Sequence, residues 1–572
     1  MFQKLTTAIS RALAPQTRVE AETNLRAPGL PDWQSIIATN RALWDSAVRR
    51  AETGPRVLLA TAIGGHPQFT VVESAIAAAL TLRGAKVDIL LCDEGMPGCL
   101  RAKVSALEPA ALERGEITKV FCKHCVSTGQ AVFGGLGLEL RGIREHLDTA
   151  DEAEAKRLSQ DVSSATAKAF TLEGLPIGEH GLAGALRYFG RGDLADVPEG
   201  DGVVRRYMEA AIRTARAARH ILSRHRYDAA IINHAIYVPH GILAAVCRQA
   251  GVQVAAWNLA YRKQCVIFSH GETYHHTLMS EPTTDWENMA WGPEHEKAIM
   301  RYLESRQRGS RDWIWFNNKP DDDVDAFAAR VGLDWNKPVV GMLTNVVWDA
   351  QLHYPANAFP SMVDWVIQTV AYFGNRPDLQ LLIRVHPGEL APPGGQTKSN
   401  QPVSEIVRQA FPQIPGNVFI IGPESPVSTY VCAERCNALI IYGTKAGVEF
   451  TSTGMPVIVA GEAWIRNKGL TRDVTNRQEY VRILDELPFA GRMDEKTMRK
   501  ARRYAYHFFF RRMIPLPFLK PVEKAWPPFL VELRKLEELL PGRFPGLDVI
   551  CDGVLNQKPF VYPAELRGIH DQ

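Results

Sequence analysis

The stretch IIYGTKAGVEFTSTGMPVIVAGEAWIRNKGLTRD, residues 440–473, decides the fold. The apolar run at 437–442 reads as a buried strand. Gly443, Thr444 and Lys445 make a sharp turn, 446–453 continues as a helix, Gly454 stops it, and 456–460 is a second apolar strand. A strand, a turn of small residues and a helix start leave backbone N–H groups at the positive end of a helix dipole. That combination favours an anion, phosphate above all. Glu449 lies one turn into the helix, placed to meet a ribose hydroxyl from the same side.

The same alternation runs upstream. Residues 339–343 form a strand that ends in Thr344 and Asn345, and a helix follows over 359–373. The strand at 379–385 ends in His386, Pro387, Gly388 and Glu389. Pro387 bends the chain out of the sheet and aims His386 into the crevice at the strand ends. Arg384, His386 and Lys445 supply positive or donating groups for a phosphate, with Ser425 and Ser428 as further donors. Neither a G-x-x-x-x-G-K-[ST] loop nor a G-x-G-x-x-G turn is present, which argues against a P-loop ATPase and an NAD enzyme. Strands and helices alternating in this way give a doubly wound parallel sheet.

A second β-α series lies nearer the N-terminus. The strand at 56–62 ends in Gly64-Gly65-His66-Pro67, a helix covers 69–83, and 85–91 is the next strand. A further strand at 228–233 ends in His234, Tyr237 and His240. Ligands of such sheets bind at the carboxyl ends of the strands. His66 is therefore the expected general base, with His234 beside it; Tyr237 and His240 face the same rim. Residues 269–276 add Glu272 and His275, a polar and aromatic cluster suited to sugar binding or acid–base chemistry. Cys92, Cys99, Cys122 and Cys125 are either a structural zinc site, closed by four sulfurs, or half-buried free thiols.

At 572 residues the chain exceeds one ordinary core, and its 46% hydrophobic and 23% charged residues belong to a globular protein. A formal net charge of +3 gives no argument for nucleic acid. No apolar run reaches the ~20 residues of a membrane span, and nine cysteines without a secretion signal suit the reducing cytosol. Residues 1–54 read as a helical preface, with Phe2, Leu5, Ile9 and Leu13 on one helix face. The first α/β domain is expected over 55–335 with a helical insertion at about 140–227, the second over 336–484, and C-terminal helices and tail over 485–572. The basic, aromatic segment 498–521 is expected either to be buried or to lie on an anionic bilayer.

Three motifs, RVHPGE at 384–389, YGTKAGVE at 442–449 and GMPVIVAGE at 454–462, resemble the bacterial capsule polysaccharide biosynthesis family. That family is similar to the β-Kdo transferases and the bacterial sialyltransferases, which have the GT-B fold. The resemblance covers 337–484 well and reaches the first domain more loosely, through Gly65-His66-Pro67, the cysteine cluster and 233–239. It implies two Rossmann-like domains facing across a cleft, with the active site between them. It also implies that the His386-Pro387 motif and the Thr444 turn hold the donor's nucleotide phosphate. The expected donor contacts are Asn345, Arg384, His386, Glu389, Tyr442, Gly443, Thr444, Lys445, Gly447 and Glu449. The expected catalytic residues are His66, Glu272 and His234, and the expected acceptor contacts are Tyr237, His240 and His275. The expected activity is glycosyl transfer from a nucleotide sugar (CMP-, UDP- or GDP-linked) to a surface polysaccharide or glycolipid, in the cytoplasm or at the inner membrane face. Catalysis would need no metal. A sugar-nucleotide epimerase and a non-catalytic assembly or export factor are the alternatives. The epimerase would need no acceptor.

Overall fold

A computed structural model describes residues 30–307, 309, 311–313, 320–349, 356–390, 397–522 and 527–567. The helix expected around Phe2–Leu13 lies outside the described residues. The chain divides into two compact units. The first holds residues up to 188, then 194–258 and 515–559; the second holds 189–193, 259–514 and the residues from 560 on.

In the first unit, β1 (Arg56–Ala62), β2 (Lys86–Leu91), β3 (Glu139–Gly142), β4 (Ala229–Asn233) and β5 (Gln253–Leu259) form parallel ladders in the order β3-β2-β1-β4-β5. β1 and β4 are buried along almost their whole length, as strands covered on both faces are. The helix Pro67–Leu82 starts on a proline, whose fixed φ suits a first turn, and nearly all its side chains are buried. β3 was not expected. It is four residues long and polar (Glu-Leu-Arg-Gly), so it carries no alternating apolar signal; only pairing with β2 makes it a strand. Helices Thr149–Ser159, Ile177–Phe189 and Gly200–Arg224 connect it to β4.

The second unit contains β6 (Cys265–His270), β7 (Val339–Leu343), β8 (Gln380–Arg384), β9 (Val418–Ile421), β10 (Ala438–Ile441), β11 (Val457–Val459) and β12 (Arg472–Asp473). The last six run parallel in the order β9-β8-β7-β10-β11-β12. Both units thus have the doubly wound order 3-2-1-4-5, in which the chain reverses direction between its first and fourth strands. That switch point falls between β1 and β4 in the first unit and between β7 and β10 in the second.

The expected boundary near residue 335 is corrected to 258. Tyr274, Leu278, Trp286, Ile299 and Tyr302 pack in one core with Leu343, Ile441, Tyr504, Phe508 and Phe509, so 259–335 belongs with the second sheet. The basic, aromatic segment is buried rather than displayed. Tyr504, Tyr506, Phe508, Phe509 and Phe510 lie in that core, while Arg502 pairs with Glu296 and Arg512 with Glu281. Among the described residues no helix is long and apolar enough to cross a membrane.

Candidate functional site

The carboxyl ends of β8, β7 and β10 carry most of the expected donor residues, and hydrogen bonds knit them together. Thr344 takes a hydrogen bond from the His386 N–H at 3.2 Å and donates its own N–H to the Arg384 carbonyl at 3.2 Å. Asn345 bonds Gly443 both ways: its amide donates to the Gly443 carbonyl at 2.8 Å and accepts the Gly443 N–H at 3.3 Å. The loop after β7 therefore fixes His386 on one side and the Gly443 turn on the other. Residues 443–446 are half-buried, a break of accessibility within an otherwise buried run. The helix that follows, Ala446–Thr451, has only six residues, so the turn's own donors matter more than a dipole.

The imidazole of His386 is set for donation. The Gly388 N–H donates to Nδ1 at 3.0 Å, which places the ring proton on Nε2. Burial, with Lys445 and Arg384 nearby, pushes its pKa down to about 3, so the ring is neutral at physiological pH. The Lys445 ammonium sits 4.6 Å over the Tyr261 ring. Burial and Arg306 lower its pKa, while Glu449 and Asp312 act to raise it.

Several expected ligands are structural. Arg384 is 6% exposed, and its guanidinium donates to the Gly422 carbonyl at 2.6 Å, the Ser425 carbonyl at 3.3 Å and the Thr429 hydroxyl at 2.9 Å. It braces the loop after β9. Glu389 accepts the Val403 N–H at 3.1 Å and so caps the helix Val403–Ala410; burial raises its carboxyl to about 7. Tyr442 is fully buried and its hydroxyl donates to the Phe359 carbonyl at 3.2 Å. Gly447 lies where a Cβ would come within 2.7 Å of Ile441 and 2.9 Å of Ile465, so it serves close helix–sheet packing. Both oxygens of Glu449 are engaged, Oε1 by Arg306 at 3.1 Å and Oε2 by the Tyr430 hydroxyl at 2.6 Å. Burial alone would raise the Glu449 carboxyl, but Arg306 and Lys445 hold it below its ordinary value. A ribose contact by Glu449 would require one of these partners to release it. Arg306 and Asp312, absent from the expected set, complete this buried cluster, and no local motif marks them.

In the first unit the switch point carries backbone strain. Ala62 ends β1 with φ 51°, and His234, Ala235 and Tyr237 follow β4 with φ of 57°, 54° and 64°. Left-handed backbone at non-glycine residues costs about 1–3 kcal/mol each and concentrates at functional sites. His66 stands at the same edge, its ring edge-on to Phe69 at 5.7 Å, and Nδ1 is buried without a hydrogen-bond partner among the described residues. Burial, followed by the charges of Arg101, His240 and Arg187, pushes the His66 pKa well below 6.5. His66 is therefore a neutral imidazole. His234 is driven down to about 3 by burial. His240 is corrected: it is 1% exposed and its Nε2–H donates to the Thr61 carbonyl at 2.9 Å, locking β1 to the loop after β4. Tyr237 is 2% exposed beneath the Arg187 guanidinium, 5.5 Å from its ring, so it too shapes the rim from within.

Below His66 lies Glu73, fully buried, accepting the Thr61 hydroxyl at 2.6 Å and the Trp257 indole N–H at 2.9 Å. Burial raises its carboxyl from 4.5 to about 7 against those two bonds. The folded chain thus keeps a proton that the unfolded chain loses between these values, and stability falls as pH rises from about 4.5 to about 7. Glu73→Gln offers the same two partners an uncharged amide. It should gain about 1–3 kcal/mol over wild type at pH 8 and nothing at pH 4, read by urea unfolding. Equal stability at pH 8 would show that the buried charge carries no penalty.

Cys92, Cys99, Cys122 and Cys125 line one cavity of the first unit, together with Arg101 and Phe121. Burial raises Cys99 to about 11 and Cys122 to about 12, and the Gly65 N–H donates to Cys125 Sγ at 3.0 Å. The zinc expectation does not fit this arrangement. Among the described residues no three His, Cys, Asp or Glu side chains gather closely enough to hold a metal ion.

Glu272 and His275 lie in the second unit, beside β6. His275 is half-buried, its ring 5.4 Å from Trp464. Glu272 faces His276, which was not in the expected set.

No protein-family model matches the chain, and no curated protein matches it. Among solved structures, the KpsC beta Kdo 2,4 transferase of Thermosulfurimonas dismutans aligns over 48% of this chain and 79% of its own, at 12% identity and a TM-score of 0.33. The alpha,alpha-trehalose 6-phosphate synthase of Burkholderia multivorans aligns over 79% and 94%, at 10% identity and a TM-score of 0.29. The UDP-GlcNAc 2-epimerase of Neisseria meningitidis, bound to UDP-GlcNAc, aligns over 79% and 95%, at 9% identity and a TM-score of 0.24.

Proposed function

We propose that the chain is a glycosyltransferase that moves a sugar from a nucleotide-sugar donor to a polysaccharide or glycolipid acceptor of capsule or lipopolysaccharide synthesis. The donor's phosphate sits at the second unit's switch point, on the N–H groups of Thr444 and Lys445 within the turn that Asn345 holds through Gly443. His386 Nε2–H and Lys445 complete the seat. The observation that carries this is the loop after β7, which ties His386 and the Gly443 turn to one edge through Thr344 and Asn345. Donors fixed before the substrate arrives stabilise the charge that develops on the departing phosphate without reorganising. A neutral imidazole and a lysine carry that charge with no metal in the step.

The acceptor's hydroxyl gives its proton to His66 as its oxygen attacks the anomeric carbon. The buried, unpartnered Nδ1 of His66 supports this role. Because its charged form is suppressed, His66 is unprotonated throughout the neutral range and can take up the hydroxyl's proton. Isothermal calorimetry with CMP, UDP and GDP tests the seat. His386→Ala should weaken the nucleotide that binds by about 10–100-fold, the worth of a hydrogen bond to a charged group. Unchanged affinity would remove His386 from the site.

A further inference from the structure

The loops after β6 and β11 hold a side-chain chain that the mechanism above does not use. His276 lies between two carboxylates. Its Nδ1 is 3.0 Å from Glu272 Oε2, and its Nε2 is 3.5 Å from Glu462 Oε2. The three differ sharply in burial: the Glu462 side chain is 2% exposed, His276 23% and Glu272 49%. Glu462 is also held rigidly. Its Oε1 accepts the Ala356 N–H at 2.6 Å, and its own N–H donates to Asn357 Oδ1 at 2.9 Å. Glu462 directly follows Gly461, where a Cβ would come within 2.7 Å of the Tyr442 carbonyl, and a Cβ on Gly443 would lie 3.3 Å from the Glu462 carbonyl. The cluster therefore stands one strand along the same sheet edge from the Gly443 turn.

A buried, immobile carboxylate on one ring nitrogen and an accessible one on the other make an oriented imidazole. The buried partner lies at ion-pair distance from Nε2 and stabilises the imidazolium, while Nδ1, hydrogen-bonded to exposed Glu272, is the working nitrogen. Exposed Glu272 is the partner that can swing away. We propose that His276 is an acid–base residue of the second unit, oriented by Glu462 and covered by Glu272 until substrate displaces that carboxylate. This rests on the glycosyltransferase reading for its substrate, a nucleotide sugar. The anomeric C–O bond breaks with its electron pair remaining on the phosphate oxygen. The Nδ1–H proton passes to that oxygen and leaves a neutral imidazole with its remaining proton on Nε2, the nitrogen nearer Glu462. The acceptor's oxygen forms the new bond and its proton departs separately. Glu462 acts through His276 and is a positioning residue.

The test is NMR titration of the full chain labelled with 13C and 15N at histidine, with the His276 signal assigned by its loss in His276→Gln. The described charges that face the ring or its partner are Glu272, Glu462 and Arg466. The His276 midpoint should lie above 6.5, and Glu462→Gln and Glu272→Gln should each lower it by about one unit. A midpoint at or below 6.5, or one that ignores Glu462→Gln, overturns the dyad. Saturation with whichever of UDP, CMP or GDP binds by calorimetry should move the His276 Nδ1 resonance, while that of the structural His240 stays in place. An unmoved Nδ1 in the bound complex overturns the catalytic role. If none of the three nucleotides binds, the donor reading and the catalytic role that depends on it both fall, and the titration still decides the dyad.

Discussion

Replacing His66 by glutamine is expected to lower the turnover number by about 10²–10⁴, the range for loss of a positioned proton acceptor, and to change nucleotide affinity little. The two readouts separate because His66 belongs to the first unit's switch point and the nucleotide seat to the second unit's. The pH profile sharpens the expectation. An ordinary histidine base gives an acid limb centred near 6.5. Burial and the charges of Arg101 and Arg187 place the His66 transition well below that value, so the wild-type rate should show no His66 limb between pH 6 and 8. Arg101→Gln removes one of those charges and should move the limb upward. A glutamine variant with near wild-type turnover would mean that the proton leaves by another route.

Arg306→Met should cost the second unit about 3–5 kcal/mol. Arg306 is 4% exposed; it pairs with Asp312, lies 3.1 Å from Glu449 and donates to the Tyr302 hydroxyl at 2.9 Å. Methionine fills much of the same volume but leaves two buried carboxylates without their shared cation. Uncompensated charge, rather than lost packing, makes this substitution severe. Arg306→Lys should recover only part of the loss, since an ammonium cannot reach both carboxylates and the phenol from one planar fork. Hydrogen exchange reads the effect locally: amides of β7 and β10 should lose protection, while those of β1 and β4 keep theirs. A loss below ~1 kcal/mol would show that Asp312 and Glu449 find other partners or take up protons.

The strand–turn–helix–strand at 440–473 is legible because each piece has a local cause: the apolar run, the small-residue turn, Gly454 with its φ of 82°, and the apolar strand beyond it. His386 is legible because a proline follows it at a strand end. Arg384 has the charge of a phosphate ligand, but its donors end on Gly422 and Ser425, carbonyls that no pattern around residue 384 announces. Glu449 lies on the expected turn of its helix, but its partner Arg306 comes from the distant helix Pro293–Gln307. The same holds for His276. Its neighbour Glu272 is local, while Glu462, which gives the pair its orientation, arrives from another strand end. The cysteines show the converse limit: Cys122 and Cys125 have a metal-like spacing, but spacing does not decide whether four sulfurs meet.

Crystals soaked with the nucleotide that binds by calorimetry test the central claim most directly. The account predicts a phosphate within hydrogen-bond reach of His386 Nε2 and of the Thr444 and Lys445 N–H groups, at the carboxyl edge of β7, β8 and β10. A nucleotide bound elsewhere on the chain, with that turn and His386 untouched, would contradict it.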